Sequence, residues 1–219
     1  MKKFFLLAAL AAASISGAQA QARAGGELSS KDYTGGAVTD SRNTGFGIKG
    51  GYNYTNLYGD GADQLDLRGT NTFHAGVYGQ FGFNDFASTQ IELLYSRKGA
   101  KTNGSGTADD VRLDYLQLPI LFVGNVTETI SFHVGPQISL LTKYEQNGQD
   151  YAIDDSGLNS LDFGGVAGLE FRVGPARVGG RYDLGLGKVF DTSKANRLNV
   201  TEQVRNGTVQ VYIGLGFTQ

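Results

Sequence analysis

Ten residues near the C-terminus, Thr208-Val-Gln-Val-Tyr-Ile-Gly-Leu-Gly-Phe217, alternate without a break. Val209, Val211, Ile213, Leu215 and Phe217 share one face of an extended chain, and Thr208, Gln210, Tyr212, Gly214 and Gly216 share the other. That length is long for a strand in a water-filled setting and suits one crossing a bilayer at a tilt. A strand with one greasy and one polar face needs a neighbour on each edge. Inside lipid an open edge would leave backbone N–H and C=O groups with nothing to bond. The stretch therefore predicts a closed barrel, with this last strand sealing against the first.

The same period recurs upstream. From Gly45, Phe46, Ile48, Tyr52 and Tyr54 oppose Lys49, Gly51 and Asn53. Near Thr72–Phe83, Phe73, Ala75, Val77, Phe81 and Phe83 oppose His74, Tyr78 and Gln80. Near Ala87–Arg97, Ile91, Leu93 and Tyr95 oppose Gln90, Glu92 and Ser96. Further segments of this kind lie near Thr129–Leu141, Leu161–Arg172 and Arg177–Gly187. The segment near Val111–Val123 changes phase: Val111, Leu113 and Tyr115 fall in one register, Leu116, Leu118, Ile120 and Phe122 in the other. Such a switch predicts either a β-bulge or a strand top that stands clear of the membrane. Pro119, which has no N–H to give to a ladder, argues against a regular central strand there.

Connection lengths point the same way. The links Asn84-Asp85-Phe86, Gly124–Glu128 and Val173–Ala176 are short, whereas those exemplified by Lys143–Ser160 and Lys188–Asn206 are long and polar. Short turns at one end and long loops at the other, over an even strand number, predict an all-β fold. It is an eight-stranded antiparallel up-and-down transmembrane β-barrel with both termini periplasmic.

Alternation alone fits two opposite arrangements: a membrane barrel, apolar outside, and a soluble periplasmic ligand-binding barrel, apolar inside. The polar face separates them. It is rich in glycine (Gly47, Gly51, Gly76, Gly164, Gly168, Gly179 and Gly214 among others), which weakens a solvent-facing strand but makes room inside a narrow barrel. It also carries charges of both signs. Lys49, Glu92, Glu170, Arg172, Arg181 and Asp183 are the candidates for ion pairs within the lumen, where a charge must be paired to be tolerated. Aromatic residues near strand ends, including Tyr54, Tyr95, Phe83, Phe86, Phe132, Phe171 and Tyr182, suit interfacial girdles. The membrane arrangement is the stronger reading.

Residues 1–20 read as a cleaved signal peptide: Lys2 and Lys3, an apolar Phe4–Ala13, then Ala18-Gln19-Ala20 before the cut. Residues 21–44, rich in Gly, Ser, Thr and Asp, read as a flexible periplasmic lead-in, and residues 45–219 as the barrel domain. The absence of Cys excludes disulfides and thiolate metal sites, and a formal net charge of −2 gives no reason to expect nucleic acid.

No motif demands chemistry. Gly45-Phe-Gly-Ile-Lys-Gly50 fits G-x-G-x-x-G, but it leads into a strand rather than a helix. His74 and His133 project to the polar face near opposite ends of the barrel, so a shared metal is not expected. Ser131 and Ser139 flank His133 as ordinary barrel lining. Acidic groups in the links (Asp60, Asp63 and Asp66; Asp109 and Asp110; Asp154 and Asp155) read as solvated loops. No catalytic, cofactor-binding or metal-binding residues are expected, and no cofactor.

Asp114-Tyr-Leu-Gln-Leu-Pro-Ile-Leu-Phe122 resembles the Tyr-Leu-Glu-Ile-Pro-Leu-Leu-Leu strand of PorT-like bacterial outer-membrane β-barrel proteins. Gly135–Leu141, Asp162–Phe171 and Arg181–Leu186 resemble the following strands of that family. The resemblance implies an outer-membrane location and makes Pro119 a family feature. It carries no activity across, and the secretion role of the family's name-giving member is not transferred. The expected partners are outer-membrane lipid and the barrel-assembly machinery, with room left for an envelope or secretion-system protein whose identity one sequence does not give. The expected function is that of a non-enzymatic outer-membrane barrel with a side-chain-filled lumen, acting structurally or through its outer loops. A small pore or transporter and the soluble barrel are the alternatives.

Overall fold

Residues rich in Val, Ile, Phe and Tyr at every second position form strands almost throughout the computed structural model, which describes residues 43–58, 67–102, 110–153, 158–187 and 205–217. All of these belong to one unit, Asp40–Gln219. The expected signal peptide, the lead-in up to residue 42, and loop acids Asp60, Asp63, Asp66, Asp109, Asp154 and Asp155 lie outside the described residues. The strands are β1 (Gly45–Tyr58), β2 (Leu67–Gly82), β3 (Ala87–Thr102), β4 (Asp110–Asn125), β5 (Ile130–Gln146), β6 (Gln149–Tyr151), β7 (Leu161–Val173), β8 (Ala176–Gly185) and β9 (Arg205–Phe217).

Eight of them close a barrel. Antiparallel neighbours run β4-β3-β2-β1-β9-β8-β7-β5, and β4 pairs with β5 to complete the cylinder. The seam between first and last strands is continuous from Phe46 opposite Phe217 to Tyr58 opposite Arg205. No strand of the eight has a free edge, the condition for a sheet to sit in hydrocarbon.

The faces are sorted as a membrane requires. Ile213, Phe163 and Val209 are 70%, 53% and 48% exposed on the outside, while Arg181, Glu170 and Asp183 are buried within. Turning the sheet inside out would set Arg and Lys against lipid at about 2–4 kcal/mol each near the midplane. The soluble alternative, with an apolar interior, is therefore not this protein. Phe86, Phe122 and Phe132 form an outward aromatic cluster at the short-turn end, with ring centroids 5.9–6.5 Å apart.

Three details depart from the sequence-based expectation. The short strand β6 folds back on β5 through Asn147 and Gly148, both at positive φ (53° and 79°), the geometry of a two-residue hairpin turn. This occupies part of the link expected to be loop. The chain also runs as strand through Pro119. The missing N–H is absorbed locally, by a lapse in the ladder to β3 between Ile120 and Gln117.

The phase change in β4 has a different origin from a kink in β4 itself. Val111, Leu113, Tyr115, Gln117, Leu121 and Val123 all point inward in one unbroken register. What changes is the interior. At the outer end it is an apolar cluster of Ala100, Val111, Leu113, Tyr115, Leu141, Tyr144 and Leu158, with Tyr151 and Ile153 packed against it. Below that cluster the interior turns polar. The bulge lies instead on β5: Asp114 faces Lys143 but Tyr115 faces Leu141, leaving Thr142 over. The Thr142 hydroxyl donates to the Asp114 carbonyl at 2.9 Å.

Candidate functional site

Most of the buried charged side chains converge in the interior, and the topology determines who can meet. In an eight-stranded ring, β3 and β8 stand diametrically opposite, four strands apart in either direction. Inward residues of these two strands meet across the lumen at successive levels. Lys98 Nζ lies 2.8 Å from Asp183 Oδ2. Arg181 Nη1 donates to Glu92 Oε2 at 2.6 Å. Arg177 Nη1 lies 3.5 Å from Gln90 Oε1, and 2.8 Å from Gln80 Oε1 on β2.

Glu92 is the hub. Its Oε1 accepts from Lys49 Nζ at 2.7 Å and from Gln90 Nε2 at 2.6 Å, while Oε2 takes Arg181. Arg181 Nε in turn donates to Gln210 Oε1 at 2.5 Å. Lys49 Nζ sits 4.2 Å from the Tyr212 ring centroid and 5.3 Å from that of Tyr78, so its positive charge rests on two aromatic faces as well as on the carboxylate. Those rings fit because glycine stands beside them: a Cβ on Gly47 or Gly179 would collide with the Tyr78 or Tyr212 phenol.

A second carboxylate, Glu170, collects Arg172 Nε at 3.2 Å, Arg177 Nη1 at 3.3 Å and the Tyr212 hydroxyl at 3.0 Å. A third, Asp183, accepts from Gln117 Nε2 and Gln137 Nε2, each at 3.0 Å, besides Lys98. Pairing and hydrogen bonding of this kind work against the desolvation cost of the buried charges, while Arg172 Nη2 and Arg181 Nη2 find no hydrogen-bond partner among the described residues.

All six sequence-derived candidates, Lys49, Glu92, Glu170, Arg172, Arg181 and Asp183, lie in these three clusters. The six do not form a closed set. Lys98 and Arg177 supply the partners of Asp183 and much of the surroundings of Glu170. Lys98 falls one residue past the expected end of its strand, although its parity with Gln90, Glu92 and Ser96 marks it as inward. Arg177 opens its strand on the polar face, and nothing in the sequence indicates its partner.

The histidines occupy separate clusters. His74 Nδ1 lies 2.6 Å from Asn53 Oδ1. His133 Nε2 lies 3.2 Å from Ser131 Oγ and 3.8 Å from Glu170 Oε1. A hydrolytic triad needs serine on one ring nitrogen and the acid on the other. Here both approach Nε2, Nδ1 has no hydrogen-bond partner among the described residues, and the group is buried.

Both ends of the polar interior are covered. The apolar cluster at the outer end lies above it, and Asn206 Nδ2 donates to Tyr115 Oη there at 3.4 Å. At the short-turn end Asn43 crosses the floor. Its Nδ2 donates to the carbonyls of Asn84 (2.8 Å) and Asp85 (2.9 Å), while its Oδ1 accepts from Asn125 Nδ2 at 2.7 Å and Arg172 Nη1 at 3.4 Å.

On the outside, above the apolar band, Arg97 and Asp114 form a two-pronged pair at 2.7 and 2.9 Å. Beside them Lys143 Nζ lies 2.8 Å from Asp150 and 3.2 Å from Glu145. Hydrogen bonding to Asp150, then to Glu145, raises the Lys143 ammonium above its ordinary pKa.

Comparison with solved structures finds barrels of the same kind. Neisserial surface protein A is 17% identical, with 78% of this chain and 97% of that chain covered and a TM-score of 0.51. Ail, the attachment invasion locus protein of Yersinia pestis, is 18% identical over 80% of this chain and 99% of that one, with a TM-score of 0.48. OprG from Pseudomonas aeruginosa is 13% identical over 82% and 100%, with a TM-score of 0.41. At these identities the likeness concerns fold alone. No curated protein sequence matches this chain. The family described as outer membrane protein beta-barrel domain matches residues 18–191. With a closed eight-stranded barrel whose apolar face is turned outward, the chain belongs to that family and is a protein of the bacterial outer membrane.

Proposed function

We propose that this is a non-enzymatic barrel whose lumen is closed by its own side chains, and that it acts structurally or through what it displays outside the cell. The observation that carries the reading is the bond from Arg181 to Glu92 across the full width of the lumen. It is backed by Lys98–Asp183 and by covered ends. An ion following the axis would have to part these pairs and replace their hydrogen bonds with its own hydration. The misplaced acid at His133 supports a role without catalysis.

On this reading residues 1–20 direct export and are removed, residues 21–44 trail into the periplasm, and the barrel-assembly machinery inserts the domain. The likeness of Asp114–Phe122 to the PorT-like strand supports a place near that group. Single-channel recording in planar bilayers tests the closed lumen. Silence at moderate voltage is expected, and steady conductance would favour the small pore or transporter instead.

A further inference from the structure

The lumen carries its charges unevenly along the axis. From the floor up to Arg181, four inward cations (Lys49, Arg172, Arg177 and Arg181) face two inward carboxylates, Glu92 and Glu170, among the described residues. The other two inward carboxylates, Asp162 and Asp183, lie toward the outer end with Lys98. Asp183 is six residues above Arg177 on β8, about 20 Å along the strand. The shortfall is sharpest at Glu170, where a single oxygen, Oε1, accepts from Arg172 Nε at 3.2 Å and from Arg177 Nη1 at 3.3 Å.

Both guanidiniums keep N–H groups in reserve. Arg172 gives Nε to Glu170 and Nη1 to Asn43 Oδ1, and its Nη2 has no partner among the described residues. Arg177 bonds only through Nη1, which reaches Gln80, Gln90 and Glu170. The hydroxyl of Tyr78, a residue 3% exposed, also has no partner, and the charges of both arginines act on it. Tyr78 and Arg177 meet over Gly216: a Cβ there would lie 3.0 Å from Tyr78 Oη and 3.3 and 3.4 Å from Arg177 Nε and Nη2. The Tyr78 ring, 4.7 Å from Arg177 Cζ, holds that guanidinium in place. Inward Gly47 and Gly214 add no side chain to the wall beside it.

We infer that Arg172, Arg177 and Tyr78 form a seat for a small inorganic anion of chloride size, just above the Asn43 floor. The groups without partners here are N–H and O–H donors on cations or beside them. A water molecule would accept from them and leave the charge unmatched, whereas an anion accepts and also neutralises. Asn43 lies across the way in and leaves the Arg172 and Arg177 side chains only 12% and 11% exposed, so entry from the periplasmic end is limited to a small ion. The seat lies on the wall below the Arg181–Glu92 bond and stands whether or not the lumen conducts.

The test follows the urea midpoint of the full-length protein in neutral-detergent micelles as sodium gluconate is exchanged for sodium chloride at one ionic strength. Gluconate is too bulky to pass Asn43. The midpoint of the unaltered protein should rise with chloride and level off, as the filling of one site requires. Tyr78→Phe removes only the hydroxyl, and Arg172→Gln removes one guanidinium. Each should raise the chloride concentration that gives half the effect by at least about tenfold. Salt effects on the rest of the surface would be common to all three proteins. An equal midpoint in the two salts, or a rise that never levels off, would overturn the inference on the unaltered protein alone, whether or not a variant folds. A levelling rise shared unchanged by both variants would overturn it too, because the anion would then sit elsewhere.

Discussion

Arg181 on β8 and Glu92 on β3 reach each other from opposite walls of the barrel, Nη1 to Oε2 at 2.6 Å. Because Glu92 also serves Lys49, replacing it with Gln leaves two buried cations facing a neutral amide. Loss of one partner from a buried charge cluster costs about 3–5 kcal/mol. E92Q should lower the urea midpoint of the barrel in liposomes accordingly, and E92Q/R181Q should recover part of the loss, with Lys49 still lacking its carboxylate. A single variant as stable as the parent would show that the cluster is not energetically coupled.

Two glycines of similar appearance should respond in opposite ways. Gly179→Val drives a side chain into the Tyr212 ring that underlies Lys49, whereas Gly180→Ala meets nothing nearer than the Gln210 carbonyl oxygen at 3.9 Å. The first change should cost upwards of about 1–3 kcal/mol and reduce the folded, heat-modifiable fraction; the second should leave it unchanged. The yield of the compact band on an unheated gel distinguishes them.

Asn43→Ala removes the crosspiece at the floor. The carbonyls of Asn84 and Asp85 and the amide of Asn125 then lose a partner, a change of about 2 kcal/mol. Hydrogen exchange should quicken at the backbone amides of Phe86 and Ala87, which are held by Asn84 Oδ1 in the same turn. Exchange unaltered there would mean the turn does not depend on Asn43.

Strand number, closure and facing were legible because a period of two has no helical counterpart, and because Gly and charge on one face are incompatible with lipid. Partnership was not. Parity tells that Asp183 and Lys98 point inward, but not that they share a level. That depends on strand tilt and stagger around the whole ring, a property of the closed object rather than of any one segment. The apparent phase switch at the top of β4 has a related cause. Val111, Leu113 and Tyr115 keep the inward phase, yet the expectation that inward means polar fails where the wall rises above the membrane and buries a dry cluster. The β6 hairpin escapes periodicity because three residues of strand are too few to show one, although Asn147-Gly148 is a strong turn signal.

That hairpin should be separable from the barrel. Gly148 sits at φ 79°, and a Cβ added there would meet nothing within 4 Å, so Gly148→Val introduces backbone strain of roughly 1–2 kcal/mol without a collision. Limited proteolysis should then cut between Gln146 and Gln149 while the heat-modifiable band stays unchanged. If the band is lost as well, the hairpin is part of the barrel's own folding unit.

The seam where the two ends of the chain meet runs unbroken from Phe46 to Tyr58, while β8 is laced to β9 only from Ala176 to Leu184. Pulled apart sideways, a cylinder tears along its shortest row of stitches. Under a mechanical load this one would part beside β8, and the join between first and last strands would hold longer.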